Sequence, residues 1–159
     1  MPLGRGAFSM MFRGQFEHAI DAKGRTSLPA RFRDVLAAGD ALRLVLTGAL
    51  FDRCLHLYPL RAWEELETQI AGMPQFEPNV VAFRRRYLSA AVECELDKQG
   101  RILIPPNLRD HAELNREVVW AGMGRTAELW SHERWQAAQV MSDAELASFK
   151  TAIAEQFHL

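Results

Sequence analysis

The residues best suited to hold a ligand are two glycine–arginine pairs, Lys23-Gly24-Arg25 and, 76 positions later, Gly100-Arg101. A guanidinium presents a planar fork of donors that matches a phosphate or the edge of guanine, and an ammonium adds a point charge. Neither group exchanges a proton readily at neutral pH, so their chemistry is anion binding. Each pair sits inside a longer repeat. Asp21-Ala-Lys-Gly-Arg25-Thr-Ser-Leu-Pro29-Ala-Arg-Phe-Arg33 returns as Asp97-Lys-Gln-Gly-Arg101-Ile-Leu-Ile-Pro105-Pro-Asn-Leu-Arg109, with Asp, Gly, Arg, Pro and Arg in register. Such a repeat signals two copies of one supersecondary unit.

Other chemistry has little to stand on. No G-x-S-x-G, P-loop, H-E-x-x-H or G-x-G-x-x-G motif occurs. His18, His56, His111, His132 and His158 are scattered, and the carboxylates fall in helices rather than in paired loop positions. No catalytic residue is named and no enzyme is expected. Cys54 and Cys94 lie far apart without zinc spacing. Cys54-Leu-His56 comes nearest to a ligand pair, but a small apolar cysteine on a strand is the simpler reading. No metal, cofactor or small-molecule substrate is expected.

The chain has 159 residues, a formal net charge of -1 and 48% hydrophobic residues, which suits one domain or two small halves sharing a core. No apolar run approaches the roughly 20 residues of a membrane span, and Met1 to Met10 lacks the apolar stretch of a secretory signal. A cytosolic location is the default expectation. The near-neutral total conceals an uneven distribution. Residues 1–33 hold six Lys/Arg against two Asp/Glu, whereas residues 111–159 hold four against seven. The first repeat is therefore a local basic patch, and local potential is what a polyanion meets.

The elements that must position these residues follow from periodicity. Phe16, His18 and Ile20 alternate with polar neighbours, a strand pattern, and Asp21 to Gly24 has turn chemistry. Residues 14–28 read as a β-hairpin, followed by a helix from Pro29 that Gly39 stops. Strands are expected at Leu42 to Thr47 and Cys54 to Tyr58, then a helix from Pro59 to about Ala71. The second half repeats the order: a hairpin over residues 92–104, a short helix after Pro105, strands at 117–121 and 126–130, and a helix from about Ser131. Leu57-Tyr-Pro-Leu-Arg-Ala-Trp63 also aligns with Leu129-Trp-Ser-His-Glu-Arg-Trp135 at an offset of 72. A connector at 72–78 leads to a helix over Asn79 to Ser89 that carries Arg84, Arg85 and Arg86. Ser142 and Glu145 fit a capping box opening a last amphipathic helix.

Taken together, Met11-Phe-Arg-Gly14, the doubled Asp…Gly-Arg…Pro motif and the intervening Leu-Tyr-Pro-Leu-x-x-Trp resemble the MraZ family of bacterial transcriptional regulators. The resemblance spans Met11 to about Val140. It implies an α+β, mainly β fold: a swapped-hairpin, AbrB-like β-barrel formed from two duplicated SpoVT-AbrB units with peripheral helices. The implied division is an N-terminal extension at 1–10, a first unit at 11–75, a connecting helix at 76–90, a second unit at 91–140 and a C-terminal amphipathic helix at 141–159. It further implies a homo-oligomer, a ring, that binds short direct repeats in double-stranded promoter DNA upstream of the division and cell-wall gene cluster, in the cytoplasm and at the nucleoid. The alternative is an AbrB-like antitoxin, or an interaction or oligomerisation module without promoter specificity.

The DNA-binding candidates are Arg13, Lys23, Gly24, Arg25 and Arg101. The turn itself asks for Asp21 and Gly24 but for no charge at Lys23 or Arg25, and a glycine permits close approach of backbone to phosphate. Arg101 is open to two readings, a DNA contact or an Asp97–Arg101 pair that holds its hairpin. Gln99 replaces Lys23 in the second copy, so that copy is expected to bind phosphate less well. Arg13, Arg31 and Arg33 are flank contacts or intramolecular partners, and Arg84 to Arg86 a solvated helix face or an interface. Trp63, Trp120, Trp130 and Trp135 belong to the core or to subunit contacts.

Overall fold

A computed structural model describes residues 11–39 and 43–159. The leader Met1 to Met10 and the expected strand residue Leu42 lie outside them. The first unit runs β1 (Gln15–Ala19), β2 (Arg25–Ser27), α1 (Ala30–Ala38), β3 (Arg43–Gly48), β4 (Leu55–Pro59) and α2 (Leu60–Ala71). The link consists of α3 (Pro78–Phe83) and a π-helical turn at Arg84–Leu88. The second unit runs β5 (Val92–Glu95), β6 (Arg101–Leu103), α4 (Pro106–His111), β7 (Glu117–Gly122), β8 (Ala127–Ser131) and α5 (His132–Gln139), and α6 (Asp143–Phe157) follows. Pro29, Pro59 and Pro105 each stand immediately before a helix in extended backbone, where a residue without an N–H leaves no donor orphaned.

The expected hairpins are corrected in their partners. β1 pairs with β7 from Gln15↔Ala121 to Ala19↔Glu117, and β2 pairs with β6 from Arg25↔Leu103 to Ser27↔Arg101. Within the motif the two arms are joined by the Ile20–Thr26 bridge, the turn itself and a hydrogen bond from Thr26 Oγ1 to the Ala19 carbonyl at 2.9 Å. The second unit behaves alike, since β5 pairs with β3. Alternation of apolar residues identifies a strand but not its partner. Interleaving allows Phe12 and Phe32 of one unit to share a core with Trp120 of the other, the Phe32 ring lying 5.1 Å from Phe12 and 6.0 Å from Trp120. Phe32 and Trp120 are fully buried, and burying such a ring stabilises by roughly 1.5–3 kcal/mol.

Every pairing is antiparallel. The six-stranded sheet has the order β1-β7-β8-β4-β3-β5, and β2 and β6 form a separate ribbon. The registers expose a pseudo-two-fold axis. Residues related by the 76-residue repeat meet at Thr26↔Ile102, and residues related by the 72-residue repeat meet at His56↔Glu128. The core lies between these two points. Thr26 and Ile102 are buried on one side, and Leu55, Leu57 and Leu129 on the other.

The helices are peripheral. α1 turns Phe32, Val35 and Leu36 inward, and α2 turns Trp63 and Ile70. The single helix expected over 79–89 changes to π geometry at Arg84, with Ser89 N–H donating to the Arg84 carbonyl. That turn buries Tyr87, whose carbonyl accepts from Thr47 Oγ1 at 2.7 Å, and leaves the three arginines exposed. Ser142 Oγ caps α6 by accepting from Glu145 N–H at 3.1 Å. α6 buries none of its side chains, and Leu146, Phe149 and Phe157 are exposed.

Candidate nucleic-acid interface

Each tip is built around its aspartate. Asp21 Oδ1 accepts from the backbone N–H of Lys23 and of Arg25, both at 2.9 Å, and the Arg25 side chain donates from Nε to Oδ2 at 2.9 Å. Asp97 holds Gln99 and Arg101 in the same way, at 2.8, 2.9 and 2.9 Å. The backbone N–H of Arg25 is the main cause that keeps the Asp21 carboxyl below its ordinary range, and that of Arg101 does the same for Asp97. The Asp–Arg pair considered for Arg101 is thus present in both copies. Each arginine uses its Nε in the pair, and among the described residues its two terminal amino groups make no hydrogen bond.

Both glycines supply the left-handed position that the turn asks for. Gly24 (φ +86°) and Gly100 (φ +74°) are buried. Gly24 N–H donates to the Asp21 carbonyl at 3.0 Å, and the Gly24 carbonyl accepts from Ile104 N–H at 2.8 Å. The Arg109 side chain covers Gly24, so a Cβ there would stand 2.9 Å from its Cζ; Arg33 covers Gly100 with Nη1 at 2.6 Å. An arginine of the opposite unit thus lies against each glycine. Arg33 packs over the opposite tip, and Arg109 was missed as its counterpart. The signal was available, since the two arginines coincide in the 76-residue repeat.

The ribbon gathers what the two tips present. Thr26 and Ile102 face the core, so by strand alternation Arg25, Ser27, Arg101 and Leu103 share the outward face. Trp120 anchors that ribbon from beneath by donating its indole N–H to the Ser27 carbonyl at 3.2 Å. Arg25 and Arg101 line one groove of about 670 Å³, together with Asp21, Ser27 and Arg116. Arg116 was not singled out in the sequence, and no periodic signal marks it. Lys23 is exposed at its tip. Arg13 is not brought to the ribbon: it precedes β1 at the end away from the tip, on the order of 20 Å along the strand direction.

The Cys54–His56 pair, the nearest to a ligand pair in the sequence, gains a third member that spacing did not suggest. Cys54, His56 and Glu128 bring a thiol, an imidazole and a carboxylate together, with Glu128 supplied by the second unit. Burial is the main cause that pushes the Cys54 thiol up, and burial likewise raises Cys94, to about 11. Among the described residues, no helix is long and apolar enough to cross a membrane.

Comparison with known proteins agrees with the doubled architecture. A family model described as MraZ protein, antitoxin-like, matches twice, over residues 11–86 and 87–157. A protein of Thermoanaerobacter pseudethanolicus named Transcriptional regulator MraZ is 48% identical over 126 residues, covering 79% of this chain and 85% of that protein. Its namesake in Roseiflexus castenholzii is 45% identical over 145 residues, covering 91% and 98%. With both units matched, and with relatives this similar aligned over most of their length, the chain belongs to the MraZ family.

Proposed function

We propose that this protein is a DNA-binding transcriptional regulator that reads duplex DNA with the outward face of the β2–β6 ribbon. The observation that carries the reading is that both repeats contribute an arginine, Arg25 and Arg101, to one face and one groove. A two-stranded ribbon fits the major groove, where a guanidinium can grip guanine or phosphate with two bonds. Lys23 extends the phosphate contact at the first tip. The relatives' name, transcriptional regulator, points the same way.

The finer reading is that the targets are short direct repeats upstream of the division and cell-wall gene cluster, bound in the cytoplasm at the nucleoid by a ring of subunits. One ribbon makes few contacts, and a chain of net charge -1 gains affinity by presenting several ribbons to tandem sites. The unburied apolar side chains of α6 offer surface for subunit association. Within each subunit, the sheet and the ribbon close into a barrel built from units at 11–75 and 91–140, joined through 76–90. Selection of bound sequences from random DNA, followed by gel-shift titration of the chain's own upstream region, tests recognition. Recovery of no common sequence, or no retention at low salt, defeats the reading. Light scattering tests assembly, and a monomer at micromolar concentration defeats the ring.

A further inference from the structure

Facing away from the ribbon, β4 and β8 cross the pseudo-two-fold axis at His56↔Glu128. There the ligating atoms of Cys54, His56 and Glu128 all lie within 4.8 Å of one another. Glu128 Oε2 stands 3.5 Å from His56 Nε2 and 3.9 Å from Cys54 Sγ. A tetrahedral zinc ion with bonds of about 2.0–2.3 Å needs neighbouring donors about 3.3–3.6 Å apart. Small side-chain movements of a few tenths of an ångström would close both measured edges.

The atoms turned away from the gap are held as ligating groups require. His56 Nδ1 is hydrogen-bonded to the Tyr87 hydroxyl at 2.7 Å, and that hydroxyl to Tyr58 at 2.7 Å. The Trp130 indole donates to Glu128 Oε1 at 3.0 Å. Outer partners of this kind fix the tautomer and orientation of metal ligands. Cys54 is buried, whereas the His56 side chain keeps 27% of its surface, which gives an ion a way in.

We propose that Cys54, His56 and Glu128 form a divalent-metal site for zinc or an ion of its class, clamping the two repeat units together at their axis. On binding, the Cys54 thiol gives its proton to solvent, sulfur, Nε2 and Oε2 donate to the ion, and water takes the fourth position. A thiolate and an imidazole select zinc-class ions over magnesium and calcium, which prefer oxygen alone.

The test uses the full chain, stripped with chelator and titrated with Co²⁺ and then Zn²⁺. One equivalent of Co²⁺ produces a thiolate-to-metal charge-transfer band that Zn²⁺ removes, and Zn²⁺ raises the melting temperature. Cys54→Ser abolishes the band, while Cys94→Ser, at the other free cysteine, retains it. Glu128→Gln, which keeps the side-chain shape and the indole bond, weakens Co²⁺ binding about ten- to a hundredfold, and Tyr87→Phe about tenfold. No band from the folded wild type, or a band lost with Cys94 rather than Cys54, overturns the proposal. Should Cys54→Ser fail to fold, unchanged affinity in Glu128→Gln overturns it equally.

Discussion

The tip at Asp21–Arg25 and the tip at Asp97–Arg101 agree in every hydrogen bond to within 0.1 Å, yet only three of their five residues are the same. Asp, Gly and Arg make the turn; the second and third positions, Ala22-Lys23 against Lys98-Gln99, face outward and have diverged. Net charge is equal, because Asp, Lys and Arg sum to +1 in each tip. What differs is where the lysine stands. A scaffold locked by backbone bonds to a carboxylate thus leaves its outward positions free to set what is bound, with no cost to the turn.

The largest expected contrast is in stability. At Gly24 an added Cβ meets the Ile104 carbonyl at 3.0 Å as well as Arg109, whereas at Gly100 its three nearest contacts are all with the flexible Arg33 side chain. Gly24→Ala is expected to cost about 2–4 kcal/mol, from left-handed strain and a backbone clash together. Gly100→Ala costs about 1–2 kcal/mol, since Arg33 can swing aside. Urea unfolding of both variants decides, and equal losses would show that the covering arginines, rather than the carbonyl, set the penalty.

Next comes DNA affinity. The sequence expectation ranked Arg25 above Arg101, but the ribbon places both on one face with the same aspartate pair. Arg25→Ala and Arg101→Ala are each expected to weaken binding by about 1–3 kcal/mol with the assembly intact. Gel shifts with a size-exclusion control measure this. A folded Arg25→Ala protein that binds normally removes the ribbon from the interface, and a loss at Arg25 alone restores the original ranking.

Acid should loosen the two tips together. Both aspartate carboxyls are held below their ordinary 3.8, so their contribution is complete above that value and disappears as pH falls through the lower folded-state pKa. The Arg25 and Arg101 Nε–H signals, followed by NMR, should therefore stay protected at pH 5 and lose protection only below about pH 4. Loss of one signal well before the other would break the equivalence of the turns. The smallest effect belongs to Lys23→Gln, which gives the first tip the residue that precedes glycine in the second. It should reduce the salt slope of DNA binding by about one and leave stability unchanged.

Much of this was readable in advance. The 76- and 72-residue offsets gave the duplicated units, and proline and glycine gave the helix ends, but the expectation that the turn needs no charge at Arg25 does not hold, because Arg25 pairs with Asp21 just as Arg101 pairs with Asp97. Strand partners were not readable, because period-two alternation leaves the choice of neighbour to the shared core around Phe32 and Trp120. The packing against Gly24 and Gly100 depended on Arg109 and Arg33 arriving from the other unit. His56 and Glu128 were aligned by the 72-residue offset, but nothing in the sequence says that equivalent residues must face each other across an axis.

The interleaved strands also bear on how the chain is made. While the first half emerges from the ribosome, Gln15–Ala19 and Arg25–Ser27 have no strands to join, since β7 and β6 have not been synthesised. The β2 edge stays open to other nascent chains until Leu103 is out, and the β1 edge until Gly122 is. Completion is therefore late, and translation speed through the second repeat sets how long that exposure lasts.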